Sequence, residues 1–277
     1  MRRTGVAREG LLLGSGGWIP TERRETTCVF IRSGDQGLVL DAGTGLRRLV
    51  SSSGLLTGVR KLAIVLTHFH LDHVCGLSYV PALPVTPTIW APGLWLYGQR
   101  SEELLAPLRS APISSSEPSD LGGVRELQPG AQSIGGFQIH AREQRAHWAP
   151  TAGLRVGDEL ALITDTAYDP ESVVFARDVT HLLHEAWSCS ANPVAESGDA
   201  TAAQAGQVAE EAGAHHLTLM HINPLLRSEE ELLADARAFA PRAQLGHDCA
   251  SLRLDRVPLR SSGARRSNNQ LFAREEV

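Results

Sequence analysis

Residues 67–76, THFHLDHVCG, constrain this chain more than any other stretch. His68, His70, Asp72 and His73 lie within six residues, directly after the apolar run LAIVL. In an extended chain His68 and His70 point to one side, because side chains alternate along a strand. Asp72 and His73 then fall where the chain turns into the next helix. The spacing predicts two metal ions a few ångströms apart; the alternative is a histidine-rich surface loop without metal.

Short apolar runs bounded by glycine or polar residues predict strands at 10–19, 28–32, 37–41 and 61–66. Later runs predict further strands and hairpins, and helices at 100–108, 200–214 and 228–240. Asp199 is placed to cap the second of these helices and Ser228 the third. Strands that come first, with helices alternating later, predict a mixed α/β (α+β) fold with helices outside the sheets.

The chain has 277 residues, of which 42% are hydrophobic, which is enough for one core. We expect a single domain over 1–258 and a polar C-terminal tail over 259–277. The net charge of −5 argues against broad non-specific nucleic-acid binding. Four cysteines without a CxxC pair predict reduced thiols and a cytoplasmic protein. No segment approaches the roughly 20 apolar residues that a membrane span needs.

With its HxHxDH motif the chain resembles the metallo-β-lactamase superfamily, and the resemblance covers about residues 10–257. It implies a four-layer αββα sandwich in which helices flank two mixed sheets. It also implies that Asp41, in DAGTG, fixes ligand histidines through their free ring nitrogens. RAHWAPTAGLR, LITDTAYD and LTLMHINP resemble the remaining ligand motifs, with the aspartate bridging both metals. The implied metal ligands are His68, His70, Asp72, His73, His147, Asp165 and His221.

The later ligands have rivals. His140 could replace His147, but it lies inside the apparent strand FQIH, and only His147 leads the xxxTxGxR run. Asp165 could simply cap a turn, but it follows the apolar run LALIT, at a strand end where sites are built. His221 ends its strand, whereas the two histidines before that strand are expected at the surface.

The TAGLR, TDT and HEA elements resemble the phosphodiesterase branch, which includes ribonuclease Z and cyclic-nucleotide phosphodiesterases. Only 18 residues lead from His147 to Asp165, which leaves no room there for the long arm that grips tRNA in tRNA-processing members. Asp199 stands where ribonuclease Z has a histidine that is thought to protonate the leaving group. Asp199 could do so if its surroundings kept it protonated. Otherwise it is a helix cap, and His184 is the next candidate acid.

The ligand types predict two divalent cations, Zn²⁺ first and Mn²⁺ or Fe²⁺ as alternatives, which lower the pKa of a shared water from about 15.7 toward 7. Asp72 would bind the second metal and orient the hydroxide, and Glu185 would hold a hydrogen bond to a site residue. Arg155 would neutralise an anionic substrate or form a surface ion pair. Trp18, Arg23 and Arg24, near the opening strands, suggest an anion or ring contact, or equally an ordinary exposed turn.

The expected function is hydrolysis of a small, anionic phosphodiester such as a cyclic nucleotide. Hydrolysis of a lactone, thioester or aryl sulfate is an alternative within the same fold. A metal-bearing scaffold without activity is a second alternative. A third is a ribonuclease Z-like RNA endonuclease, which would need an exosite from a partner subunit to bind nucleic acid. The resemblance makes a homodimer reasonable.

Overall fold

The structure, a computed structural model, describes residues 8–114, 122–191, 198–226 and 228–255. The predicted tail at 259–277 lies outside the described residues, and the single domain over 1–258 stays a prediction. Within the described ranges, no helix is both long enough and apolar enough to cross a membrane. The cytoplasmic location also stays a prediction. All four cysteines are unpaired, as expected.

Fourteen strands and six α-helices form within the described ranges. The strands are β1 (Arg8–Gly14), β2 (Cys28–Ser33), β3 (Gln36–Leu40), β4 (Lys61–Val65), β5 (Thr88–Ala91), β6 (Val124–Glu126), β7 (Gly130–Ile134), β8 (Phe137–Gln144), β9 (Thr151–Val156), β10 (Leu160–Ile163), β11 (His181–Glu185), β12 (His216–Met220), β13 (Gln244–Leu245) and β14 (Ala250–Leu252). The helices are α1 (Arg47–Ser51), α2 (Leu71–Val74), α3 (Ser101–Arg109), α4 (Pro170–Phe175), α5 (Ala202–Ala212) and α6 (Glu229–Arg237). Short 3₁₀ helices lie at Thr44–Leu46, Ser53–Leu56 and Cys75–Ala82, and a π-helical turn lies at Gly93–Tyr97.

The strands form two seven-stranded sheets. The first has the order β14-β1-β2-β3-β4-β5-β6, and the second has the order β13-β12-β11-β10-β9-β8-β7. Each sheet is mixed: β14 to β3 pair antiparallel and β3 to β6 pair parallel, while β7 to β10 pair antiparallel and β10 to β13 pair parallel. The parallel strands therefore direct their carboxyl ends to one edge of each sheet.

Apolar side chains fill the space between the sheets. Leu12, Val29 and Leu40 of the first sheet lie in one buried cluster with Leu154 and Leu162 of the second. Such burial of aliphatic side chains is the main favourable contribution to folding, roughly 1.5–3 kcal/mol for each side chain. This central cluster holds the two sheets face to face.

Helices cover the outer face of each sheet. Leu49 of α1 and Leu105 of α3 lie in a second buried cluster with Ile64 of β4. Val208 of α5 and Leu232 of α6 belong to a third cluster on the second sheet. The resulting order of layers is helix, sheet, sheet, helix, so the predicted mixed α/β sandwich of two sheets flanked by helices is confirmed.

Two local predictions need correction. Residues 124–144 were expected to form a hairpin, but only β7 and β8 do so, and β6 joins the edge of the first sheet. Asp199 does not cap α5. Thr201 is the cap: its side chain accepts a hydrogen bond from the Gln204 N–H, and the Gln204 side chain accepts one from the Thr201 N–H. Ser228 caps α6 as expected.

Candidate metal centre

The candidate ligands lie where strands of both sheets end. His68 and His70 follow β4, and Asp72 and His73 belong to the short helix α2. Asp165, His147 and His221 come from the second sheet, in the segments after β10, β8 and β12. Because the carboxyl ends of parallel strands share an edge, ligands distant in sequence meet in one place.

The Asp165 carboxylate lies at the centre of this group. Its Oδ1 is 3.6 Å from His68 Nε2 and 3.7 Å from His70 Nδ1. Its Oδ2 is 3.2 Å from His73 Nε2 and 3.6 Å from His221 Nε2. One carboxylate thus presents one oxygen to each of two histidine pairs, which is the arrangement required of a ligand shared by two cations.

The ligand cluster has two halves, one around His68 and His70 and the other around His73 and His221. Asp72 and His147 complete them. Asp72 Oδ2 lies 3.3 Å from His221 Nε2 and 3.4 Å from His73 Nε2. His147 Nδ1 lies 3.3 Å from Asp199 Oδ1. Three triads have candidate ligand atoms within 4.8 Å of one another, and they contain all seven implied ligands together with Asp199. The triads are His68, His70 and Asp165; Asp72, His73 and His221; and His147, Asp165 and Asp199.

The donor atoms fit cations. His68 Nε2 and His147 Nε2 are buried without a hydrogen-bond partner, and buried polar atoms are rarely left unpaired. The separations of 3.2–3.7 Å between donor atoms are close to the ~3.4 Å expected when ligands surround Zn²⁺ tetrahedrally at about 2.0–2.1 Å. The set therefore suits two nitrogen-rich, divalent metal sites.

The charges of these side chains are strongly coupled. Burial opposes a charged His73, but the carboxylates of Asp165, Asp72 and Asp41 outweigh it and raise the pKa of His73 well above its usual range. Burial lowers the pKa of His68, and the neighbouring His73 adds to that shift. The concentrated negative charge stabilises cations, so a bound metal would take the place of protons on these rings.

Asp41 orients two of the histidines. Its Oδ2 accepts a hydrogen bond from His73 Nδ1 at 2.8 Å, and its Oδ1 accepts one from the Thr67 N–H at 2.7 Å. The Thr67 hydroxyl donates to Asp41 and lies 2.9 Å from His68 Nδ1, from which it accepts. Both rings therefore keep Nε2 as a lone-pair donor directed at the cluster.

Glu185 ties together the segments that carry the second-sheet ligands. The fully buried Oε1 accepts hydrogen bonds from the Thr166 N–H at 2.6 Å and the Ala200 N–H at 3.2 Å. Its Oε2 lies 3.5 Å from His221 Nδ1. Burial raises the pKa of Glu185 to about 7. The carboxyl thereby fixes the turn after Asp165 and contacts the face of His221 that points away from the cluster.

Backbone strain is concentrated at the site. Asp41, Asp165, His221 and Trp18 have φ angles of 57°, 53°, 51° and 62°. Residues other than glycine rarely adopt this left-handed region, which costs of order 1–3 kcal/mol per residue. Three of these four residues contact the ligand cluster through their side chains, so the fold maintains an unfavourable backbone in order to direct them inward.

The two predicted acids occupy different surroundings. Asp199 lies beside the candidate ligand His147, and its contact with Nδ1 helps to orient this ring. His184 is buried, its Nδ1 lies 2.9 Å from the Glu185 carbonyl oxygen, and burial lowers its pKa to about 4. A ring that is neutral near pH 7 is a poor proton donor, and no metal-ligand triad of the described residues includes His184.

Arg155 makes the contacts of the second of its two predicted roles, an ion pair outside the ligand cluster. Its guanidinium donates to the carbonyl oxygens of Gly157, Phe175 and Arg177, and it pairs with Asp158. These partners hold the guanidinium at the end of β9 opposite the loop that carries His147, which favours the ion-pair alternative; contact with an anionic substrate stays a prediction.

His140, the rival of His147, is exposed on β8 and packs its ring against Phe175, with centroids 5.5 Å apart. It is not part of the cluster. Sequence reasoning missed Trp148, whose ring stacks on His70 with centroids 4.9 Å apart and an interplanar angle of 18°. Its position directly after His147 was the available signal. Trp187 was also missed; its ring is tilted over His221 at 5.4 Å.

Comparison with known proteins identifies the family of this fold. Residues 21–158 match the family described as the metallo-beta-lactamase superfamily. This chain carries a metallo-β-lactamase superfamily domain. Ribonuclease Z of Thermobifida fusca is 26% identical to this metallo-β-lactamase protein over 83% of the chain and 89% of the relative. The predicted superfamily resemblance, including its ribonuclease Z-like relatives, is confirmed, and the protein is a hydrolase of this superfamily.

Solved structures share the fold. The metallo-β-lactamase fold protein YhfI of Bacillus subtilis superposes with a TM-score of 0.71 at 18% identity, over 88% of this chain and 98% of that protein. A diphosphatase from the PhnP family superposes with a TM-score of 0.69 at 21% identity, over 90% of this chain and 100% of that protein. At these identities the likeness establishes the architecture and leaves the substrate to be argued from the site.

Proposed function

We propose that the protein is a dinuclear metal-dependent phosphodiesterase that acts on a small phosphodiester, such as a cyclic nucleotide. The observation that carries the proposal is the Asp165 carboxylate, which presents one oxygen to His68 and His70 and the other to His73 and His221. Two cations held there would supply Lewis acidity and a water of lowered pKa. The nitrogen-rich donors favour Zn²⁺, with Mn²⁺ or Fe²⁺ as alternatives.

The protein's own groups have distinct roles in this proposal. Asp72 holds its carboxylate at the His73 and His221 half, where it would orient the attacking nucleophile. Asp41 and Glu185 position ligand histidines. Asp199 positions His147, and it is the better placed of the two candidate proton donors because it reaches a triad.

Two observations favour a small substrate. The stretch from His147 to Asp165 is occupied by a loop, β9, a tight turn and β10, so it carries no arm for gripping tRNA. The net charge of −5 gives no general attraction for a polyanion. A ribonuclease Z-like endonuclease is the second candidate, because ribonuclease Z relatives match most of this chain. A homodimer remains a further expectation from that likeness.

The test combines metal content by mass spectrometry with turnover of bis(p-nitrophenyl) phosphate before and after chelation. We expect about two metals per chain, and loss of turnover on chelation and in Asp72→Asn. Glu126→Gln is the control, since the Glu126 carboxylate, on β6, also accepts hydrogen bonds, from the N–H groups of Leu94 and Ser101, but lies outside the candidate ligands.

Other outcomes redirect or refute the proposal. Two metals without diester turnover would favour a lactone, thioester or aryl sulfate as substrate. Cleavage of precursor tRNA with higher kcat/KM than small diesters would favour the endonuclease. A chain that binds no metal, even on reconstitution, would refute the dinuclear centre.

A further inference from the structure

Two exposed tryptophans lie against the candidate ligands, one for each half of the cluster. The Trp148 side chain is 76% exposed although one face of its ring stacks on His70. Trp18 is 55% exposed, and its backbone N–H donates to Asp72 Oδ2 at 2.7 Å. Single exposed apolar side chains are common, but an exposed apolar surface that adjoins a cluster of polar groups can bind part of a ligand.

The turn at Trp18 is fixed in place at a cost. Its φ of 62° and the hydrogen bond from the Ile19 N–H to the Gly17 carbonyl oxygen, at 2.8 Å, describe a tight and strained turn. The Gly17 N–H donates to the Ile222 carbonyl oxygen, and a Cβ on Gly17 would lie 2.6 Å from the His221 ring. The strained turn therefore packs directly on the metal-ligand residues.

Two of the arginines expected near a substrate are engaged elsewhere. Arg155 is bonded to three carbonyl oxygens and Asp158. Arg24, in the same loop as Trp18, is buried and bonded to Ser15, Gly246 and Glu229. The exposed ring surfaces of the two tryptophans, in contrast, are open to the part of the substrate that does not react.

We infer that Trp148 and Trp18 form a subsite for a planar aromatic group, a nucleobase or an aryl ring, carried by the substrate phosphodiester. The inference rests on the proposed function and specifies its substrate class. His70 covers one face of the Trp148 ring, so a substrate ring stacked on the other face is separated from His70 by the thickness of the indole, and the link between that ring and its phosphorus has to span this distance. Ring-on-indole stacking is tolerant of ring identity, because every base or aryl group has a π-face.

The test uses three diesters whose leaving group carries no ring: the methyl, phenyl and thymidine 5′-esters of 2,2,2-trifluoroethyl phosphate, with hydrolysis followed as loss of the diester by phosphorus NMR. We expect the phenyl and thymidine diesters to have a KM about 5- to 150-fold below that of the methyl diester, which is the effect of stacking one ring. Because the ring is remote from the reacting bonds, kcat should change less than KM. A lower KM for the thymidine diester than for the phenyl diester would identify a nucleobase, and equal values an aryl ring.

The variants separate stacking from support of the metal ligands. Trp148→Ala should remove most of the KM difference, Trp148→Phe should retain part of it, and Trp18→Ala should reduce it. Phe239→Ala is the control, because Phe239 is an aromatic residue that is 45% exposed and follows α6. Metal content is measured for each variant. Lost metal with an unchanged KM ratio in Trp148→Ala would mean that the indole only supports His70, and would overturn the inference.

Failure of the inference is distinguishable from failure of the proposed function. Metal-dependent turnover of all three diesters with equal KM would leave the phosphodiesterase standing and refute the aromatic subsite. If no diester is hydrolysed, the proposed function fails. The aromatic subsite is then tested separately, by calorimetric titration with phenyl phosphate and methyl phosphate. Phenyl phosphate should then bind at least 5-fold more tightly than methyl phosphate, in a manner lost in Trp148→Ala; equal binding would refute the subsite.

Discussion

Replacement of Asp41 by asparagine isolates the role of one buried carboxylate. Asp41 Oδ2 accepts the His73 Nδ1 proton and Oδ1 accepts the Thr67 N–H, at 2.8 and 2.7 Å. Asparagine has the same size but only one acceptor oxygen. If its oxygen stays with Thr67, its N–H₂ group faces His73 Nδ1. The ring then favours the tautomer with a proton on Nε2, the atom that faces Asp165 and Asp72.

The size of the effect follows from the bond that is lost. A hydrogen bond to a charged group contributes roughly 1.5–3 kcal/mol. Converted to binding, this predicts that affinity at the His73 half falls about 10- to 150-fold. Loss of a partner behind a metal-bound histidine lowers metal affinity by about 10- to 100-fold in general, which agrees. The other half should weaken less, because His68 contacts Asp41 only through Thr67.

The assay is competition for Zn²⁺ between the protein and a chromogenic chelator, in two binding steps. We expect Asp41→Asn to weaken one step by the predicted factor while far-ultraviolet circular dichroism stays unchanged. Glu126→Gln, which also removes a carboxylate that accepts hydrogen bonds from backbone N–H groups, should leave both steps within about twofold of wild type. Wild-type affinity in both steps of Asp41→Asn would contradict the tautomer argument.

Three further predictions concern other parts of the fold. Burial lowers the pKa of His181 to about 4, against about 6.5 in the unfolded chain. The unfolded state therefore takes up a proton first as pH falls, so His181 by itself should lower the free energy of unfolding by about 3 kcal/mol between pH 6.5 and 4; urea titrations should give a drop that is shallower by about this amount in His181→Gln. Thr201→Ala removes the cap of α5 and should cost about 1 kcal/mol of stability in the same assay, and no change in the urea midpoint would count against the capping box. Gly17→Ala places a Cβ 2.6 Å from the His221 ring, so metal content should fall while the native fold is retained; full metal loading would show that the ring can move aside.

Local sequence rules were sufficient for several elements. The spacing in HFHLDH predicted two ligands from an extended segment and two from the turn into a helix, and the chain indeed enters α2 at Leu71. Ser228, followed by acidic residues, predicted the start of α6, and the bond from the Glu231 N–H supports it. These features depend on neighbours within about four residues, which is the range over which helix caps and strand alternation operate.

Elements that depend on distant partners were less predictable. Asp199 has the sequence features of a helix cap, yet Thr201 has the capping box, and the Asp199 carboxylate meets His147 from 52 residues away, which no local pattern indicates. Arg155 follows a ligand motif in the sequence, but β9 carries it to carbonyl groups at the other end of the strand. The sequence places Trp148 directly after His147, but the stacking of its ring on His70 depends on the fold.

The sequence by itself determined the chemical types of the ligands and, through its apolar segments, the mixed α/β class, while the two sheets were implied by the resemblance to the superfamily. The tertiary structure decided which side chains face one another, because the approach of Asp165 and His221 to His73 depends on how two sheets pack through their shared core. Strand packing sets these contacts over 90 to 150 residues of chain, by shape and burial, and no pattern of near neighbours contains that information.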